Sequence, residues 1–219
     1  MIPLKDDVPS RSFPLVMFGL LAANLAVFFL YQLPASAREQ TWQIWIFGVV
    51  PARLLAPPFG PDLYTLVTSQ FFHGGLLHLA GNMLALYIFA DNVEDRFGHV
   101  RFLLFYLASG VVANGLQIAT NSTSGIPAIG ASGAIGGVLG AYLVLYPGAR
   151  VSTLVPLVFI PWIVRVPAVL WLGLWFVSQL GSGLATVGEG SGEETIAYWA
   201  HVGGFATGVV MGIRFRARR

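Results

Sequence analysis

Six stretches of this chain run nearly free of charge for close to the length that a helix needs to cross a bilayer, about 20 residues. They lie near residues 13–32, 72–91, 101–120, 131–147, 166–183 and 195–215. Of 219 residues, 56% are hydrophobic and only 10% charged, whereas a soluble domain carries about 25% charged residues. A water-surrounded core of this size cannot absorb so much apolar surface. The expected fold is therefore all-α: a polytopic membrane protein forming one six-transmembrane-helix bundle, a single domain over 1–219. The first stretch also has the outline of a secretory leader, with Lys5 and Arg11 before it and Ala35-Ser36-Ala37 after it. Its apolar run exceeds the roughly 7–15 residues of a leader core, so it reads as a retained span. The segment 151–165, with Pro156 and Pro161 inside it and Pro167 just beyond, is too short and too broken for a seventh span. It reads as an apolar excursion between the fourth and fifth.

Charge orients the bundle. With six spans both termini share a side. That side holds Lys5, Arg11, Arg96, Arg101, Arg150, Arg165, Arg214, Arg216, Arg218 and Arg219, ten of the twelve basic residues. Only Arg38 and Arg53 lie opposite. Positive residues stay cytoplasmic, which places both termini inside. The loop 33–70 and the acidic stretch with Glu189, Glu193 and Glu194 then lie outside. The absence of an organelle-targeting segment points to a bacterial-type inner membrane. The C-terminal arginines abut an apolar helix, a placement suited to anionic headgroups of the lipid bilayer and not to nucleic acid.

The chain has no cysteine, which excludes disulfides, thiolate metal sites and a thiol nucleophile. His73 and His78 are five apart with no carboxylate nearby, a poor ligand set. No metal and no cofactor are expected.

Polar side chains inside a span are costly and are functional candidates by default. Four stand out: His78, Asn82, Ser132 and His201. The second, fourth and sixth spans start on the same side and run the same way. Counting about 1.5 Å per residue puts all four at one depth, below the outer surface. His78 and Asn82, spaced i, i+4, share a helix face. The polar loop 121–127 before Ser132 is irregular backbone, tolerated at that depth only beside protein or a water-filled cavity.

A serine hydroxyl is a weak nucleophile until a base takes its proton, and His201 is a base at the right depth. Ser132 stands at a helix start, where free backbone N–H groups and the helix dipole favour an oxyanion. Asn82 and His78 add side-chain donors to that site. No Asp or Glu lies at this depth in the spans, so the set is a Ser–His dyad. Taken alone, a membrane serine is more often a packing residue, and the glycines at i, i+4 spacing in the fourth and sixth spans pack helices closely.

The ordered motifs resemble one family. His73-Gly74-Gly75-Leu76-Leu77-His78-Leu79-Ala80-Gly81-Asn82 resembles the H-x-x-x-N element of rhomboid intramembrane serine proteases. Gly130-Ala131-Ser132-Gly133 resembles their G-x-S-G nucleophile motif, and Ala200-His201-Val202-Gly203-Gly204 through Gly208 their final helix. The resemblance implies Ser132 as nucleophile, His201 as general base, and His78 and Asn82 with the Ser132 N–H as the oxyanion site. It implies no cofactor, and membrane-protein substrates cut in or beside a helix-destabilised transmembrane segment. Two features differ from many relatives. The aromatic residue four positions after the serine is Gly136, and the outer loop lacks a Trp-Arg pair. The alternatives are a catalytically inactive relative that binds membrane clients, and a channel; apolar spans below Asn82 and Ser132 argue against the channel.

Overall fold

The computed structural model describes residues 2–157, 160–185 and 196–217. The acidic stretch with Glu189, Glu193 and Glu194, the first residue of the expected sixth span (Thr195), and Arg218 and Arg219 lie outside the described residues.

A short strand β1 (Ile2–Asp6) leads to α1 (Leu15–Ala26), which continues as a π-helical turn, Val27–Gln32. The loop to the next long helix holds α2 (Ala37–Phe47), α3 (Pro51–Leu54), α4 (Thr65–Thr68) and a 3-10 turn, Ser69–Phe71. Then come α5 (Leu76–Phe97), α6 (His99–Thr120) and α7 (Ser132–Leu145). A hairpin, β2 (Arg150–Leu157) and β3 (Ile160–Pro167), precedes α8 (Ala168–Ala185) and α9 (Tyr198–Arg216).

Among the described residues, four helical stretches are long and apolar enough to cross a membrane: Leu15–Gln32, α5, α6 and α8. At 14 residues α7 is short, about 21 Å at 1.5 Å per residue, and ten of them, Gly133 to Tyr142, are buried. The 19 residues of α9 are diluted by glycines and by Arg214 and Arg216.

The all-α expectation fails at one end of the bundle. The segment expected to be a loose excursion is a hairpin, and β1 pairs with it to give an antiparallel sheet ordered β1-β2-β3. The reason is local. Val151, Thr153 and Val155 face Val166, Val164 and Trp162 across the hairpin, and β-branched and aromatic residues fit a pleated surface. Val151 and Thr153 are fully buried while Ser152 and Leu154 are half-exposed, the two-residue period of a strand. Pro156 and Pro161 pair near the tip, beyond the part of β2 that β1 covers.

Local chemistry sets several boundaries. The first turn of α1 has free N–H groups, and the buried Glu94 of α5 accepts two of them, from Val16 at 2.9 Å and Met17 at 2.7 Å, an anion at a positive helix end. Ser36, the centre of the leader-like Ala-Ser-Ala, caps α2 instead: its N–H donates to Glu39 at 2.8 Å and its hydroxyl accepts from the Glu39 N–H at 3.4 Å, a capping box. Gly98, at φ +78°, breaks α5 from α6, a conformation that glycine adopts without penalty. Gln32 exchanges two 3.0 Å hydrogen bonds with the His73 backbone and so ties the end of α1 to the start of α5.

The core lies among α5, α6, α7 and α9, around Leu86, Phe89, Phe102, Tyr106 and Tyr142. The tightest seam is between α7 and α9. A Cβ placed on Gly204 would stand 1.9 Å from the Gly133 carbonyl oxygen, and one on Gly208 1.9 Å from that of Gly137. Only glycine permits such an approach, the small-residue packing expected of these helices.

Candidate active site

The seam brings the first turn of α9 against the start of α7. There the Ser132 Oγ and His201 Nε2 lie 2.8 Å apart, within hydrogen-bond reach. Each is held from behind. Gly130 adopts φ +126° and donates its N–H to the Ser69 carbonyl at 2.9 Å, so the chain turns sharply just before Ser132. The preceding segment is pinned to the loop 33–70 by a two-way bridge between Val49 and Ala128, at 2.9 and 2.8 Å. On the other side the Ala200 N–H is shared between the Ala197 carbonyl at 3.1 Å and the Gln117 side chain of α6 at 3.2 Å, which ties the first turn of α9 to α6.

His78 and Asn82 stand one turn apart on α5, as expected, but they do different things. The His78 Nδ1 lies 3.3 Å from the Gly74 N–H and accepts from it. A neutral imidazole with Nδ1 accepting carries its proton on Nε2. That nitrogen would lie 2.8 Å from a Cβ on Gly130, and the Ser132 Oγ 3.5 Å from the same point. The Nε2–H of His78 and the hydroxyl therefore border one small space, and Gly130 must be glycine for both to reach it. Asn82 is buried, and its amide nitrogen donates back to the His78 carbonyl at 3.1 Å. The structure thus brings Ser132, His201 and His78 together and holds Asn82 within its own helix. A cavity of about 390 Å³, bordered by His78, Gly74, Gln117, Ile126 and Ala197, opens beside them.

Gly136 faces α9 and not the His201 ring: a Cβ there would lie 3.0 Å from the His201 carbonyl oxygen and 3.3 Å from the Phe205 nitrogen. The ring neighbour comes from α8. Trp175 lies 5.8 Å from the His201 ring, tilted by 34°, and the Gln179 Oε1 is 2.7 Å from His201 Nδ1. Sequence reasoning overlooked Gln117, Trp175 and Gln179. The signal for the two glutamines was present, since a polar side chain in an apolar span is itself a flag. In the loop 33–70 Arg53 donates to the Trp45 carbonyl at 2.6 Å and lies 3.0 Å from Asp62, so a Trp and an Arg eight positions apart meet without a Trp-Arg pair.

A family model for the rhomboid domain matches residues 60–218. The chain belongs to the rhomboid family. Among rhomboids, it is similar to Rhomboid protein 1, mitochondrial, of Saccharomyces cerevisiae, 28% identical over 90% of this chain and 52% of that one. It is 32% identical to the human Presenilin-associated rhomboid-like protein, mitochondrial, over 65% of this chain and 35% of that one. It is 36% identical to Rhomboid protease GluP of Bacillus subtilis, over 59% and 24%. The chain spans about half the length, or less, of these rhomboids.

The expected bacterial-type inner membrane is overturned. Of these three relatives, the one matched over the largest share of the chain and the human one are mitochondrial proteins by name. The expectation rested on a missing targeting segment, and a chain that spans only part of its relatives carries no information there. Charge bias tells the two faces of a membrane apart; it does not name the membrane.

Proposed function

We propose that this rhomboid is an intramembrane serine endopeptidase, a single domain whose six membrane helices include the short α7 and the glycine-rich α9. The observation that carries the reading is the 2.8 Å separation of Ser132 Oγ and His201 Nε2 at the end of a glycine-packed seam.

Ser132 attacks the scissile carbonyl while His201 Nε2 takes the hydroxyl proton. The negative charge on the carbonyl oxygen is met by the free N–H groups of the first turn of α7 and by His78 Nε2–H. Asn82, with its amide donating to the His78 carbonyl, serves this oxyanion site through His78. His201 then gives its proton to the leaving amine, the C–N bond breaks, and water hydrolyses the acyl-enzyme by the same route in reverse. The substrates are membrane proteins with a helix-destabilised transmembrane segment, because an intact helix shields its carbonyls in its own hydrogen bonds. A mitochondrial membrane is the location that the names of two of the three relatives support.

The test is labelling by a fluorophosphonate together with cleavage of transmembrane reporters in detergent. Wild type labels and cleaves a reporter with a glycine-containing segment faster than one with an all-leucine segment. Ser132→Ala loses both activities, and His201→Ala falls by a factor on the order of 10³ or more. Labelling that persists in Ser132→Ala sinks the assignment.

A further inference from the structure

We propose that Gln179 is the third member of this site, an uncharged counterpart of the carboxylate in a hydrolase triad, and that it holds His201 in the tautomer able to accept the serine proton. This rests on the proposed function.

The chain of contacts has one consistent direction. The Ser178 hydroxyl donates to the Trp175 carbonyl at 2.6 Å, which leaves its oxygen only acceptor capacity. The Gln179 Nε2 lies 3.1 Å from that oxygen and donates to it, so the amide is oriented with Oε1 toward His201. An amide oxygen only accepts. The 2.7 Å contact between Oε1 and Nδ1 therefore puts the ring proton on Nδ1. Nε2 is left bare, 2.8 Å from the Ser132 Oγ, and the hydroxyl donates to it. With the amide turned the other way, its NH₂ would donate to Nδ1, the proton would move to Nε2, and His201 could not serve as base.

During reaction the hydroxyl proton passes to Nε2 and the ring becomes an imidazolium. Its Nδ1–H stays on the Gln179 oxygen, and the Nε2 proton later leaves with the amine. Proton and charge balance without Gln179 ever ionising. A carboxylate at that depth would have to be kept ionised inside the membrane, which is expensive; an amide gives the same acceptor at no charge. Trp175, one turn before Gln179 on α8, sets the ring's tilt at 34°. One face of α8 thus supplies both the aromatic neighbour that Gly136 cannot and the tautomer-holding acceptor. Gln179 touches no substrate, so it is a positioning residue.

Gln179→Met keeps the length of the side chain and removes the acceptor; Gln179→Glu keeps shape and acceptor. Three readouts are taken on the full chain in detergent: fluorophosphonate labelling of Ser132, kcat and KM on a transmembrane reporter, and ¹⁵N spectra of histidine-labelled protein with His201 assigned by His201→Ala. Gln179→Met is expected to lower labelling and kcat about tenfold, near the worth of one neutral hydrogen bond, at unchanged KM. Gln179→Glu retains activity within about threefold. The wild-type spectrum shows His201 protonated at Nδ1 and bare at Nε2, and Gln179→Met mixes the two tautomers. A folded Gln179→Met that labels at the wild-type rate overturns the proposal, as does a Gln179→Glu no better than Gln179→Met. Should Gln179→Met melt well below wild type, the wild-type spectrum decides, and a proton on Nε2 overturns it. A wild type that never labels at Ser132 sinks the protease reading and this role with it; the spectrum still reports whether Gln179 holds the ring, so the two failures are told apart.

Discussion

Between α7 and α9 backbone meets backbone, whereas α8 and α1 are fastened to the bundle by side chains, and β1 by a side chain beside its ladder with β2. At the seam the contacts run from glycine to carbonyl oxygen, at Gly204 with Gly133 and at Gly208 with Gly137. No rotamer change can alter them. On α8, Leu174 and Val177 are more than 60% exposed, and the helix holds on through Phe176 stacked on Phe205 at 4.5 Å, Trp175 and Gln179. The first span is held by the Glu94 carboxylate, and β1 by a hydrogen bond from Tyr142 to Asp6. The distance between Ser132 and His201 is thus set by the part of the molecule with the least freedom. The orientation of the His201 ring is set by a part with more. A protein that divides the tasks this way can let a peripheral helix shift in the membrane without separating Ser132 from His201.

The comparison breaks most visibly at the seam. In Gly204→Ala the new methyl group meets the Gly133 carbonyl oxygen, which cannot move aside as a side chain can. Overpacking that side chains absorb costs about 1–3 kcal/mol, and this site belongs at or beyond the upper end, a large fraction of a total stability of about 5–15 kcal/mol. The expected result is a sharply lower melting temperature in detergent and no Ser132 labelling. Gly173→Ala on α8, where nothing lies within 4 Å of the added carbon, leaves both unchanged. Equal melting of the two variants would erase the distinction between seam and periphery.

A smaller effect sharpens it. Gly136→Phe supplies the aromatic residue that many relatives carry at this position. In this chain its Cβ presses on the His201 carbonyl and the Phe205 nitrogen, and Trp175 already lies beside the ring. Moving α9 by a few tenths of an ångström displaces Nε2 from Ser132. Labelling is expected to slow by roughly ten- to a hundredfold, the scale of misplacement effects. Faster labelling than wild type would mean that α8 does not fill the aromatic's role.

What was legible in advance follows the same division. Each expected stretch coincides with a helix, the second running on to Phe97 and not stopping at 91, and among the described residues four of these helical stretches are long and apolar enough to cross a membrane. Ser132, His201 and His78 could be placed together because depth on parallel spans is a count of residues. Asn82 was correctly put on the face of His78, but a count does not say where an amide turns, and it turns to its own helix. The hairpin was missed because it is too short and too proline-rich to read as a span, and its third strand comes from residues 2–6, far away in the chain. Trp175 and Gln179 were missed because rotation of α8 about its axis is decided by Phe205, which no spacing on α8 records.

The smallest expected effect lies at the end of the bundle away from Ser132, where β1 is fastened. Asp6 is pushed up to about 6, chiefly by burial, with Asp91 and Asp7 adding like charge against the hydrogen bond from Tyr142 that pulls the other way. An acid whose folded value lies above its unfolded value, near 3.8, holds its proton more tightly when docked. Its contribution is full below about pH 4 and is lost as pH rises through about 6. Docking of β1 is therefore expected to loosen between pH 5 and pH 7, read as faster amide exchange of Ile2, Leu4, Lys5 and Asp6 beyond the intrinsic change with pH. The group is only half-buried, so solvent screening keeps the change small. Asp6→Asn keeps an acceptor for Tyr142 and removes the titration, so its corrected exchange should be flat over that interval, with Ser132 labelling unmoved. If the wild-type profile is already flat, the periphery at this end is not fastened through Asp6, and the register of β1 on β2 must be doing the work instead.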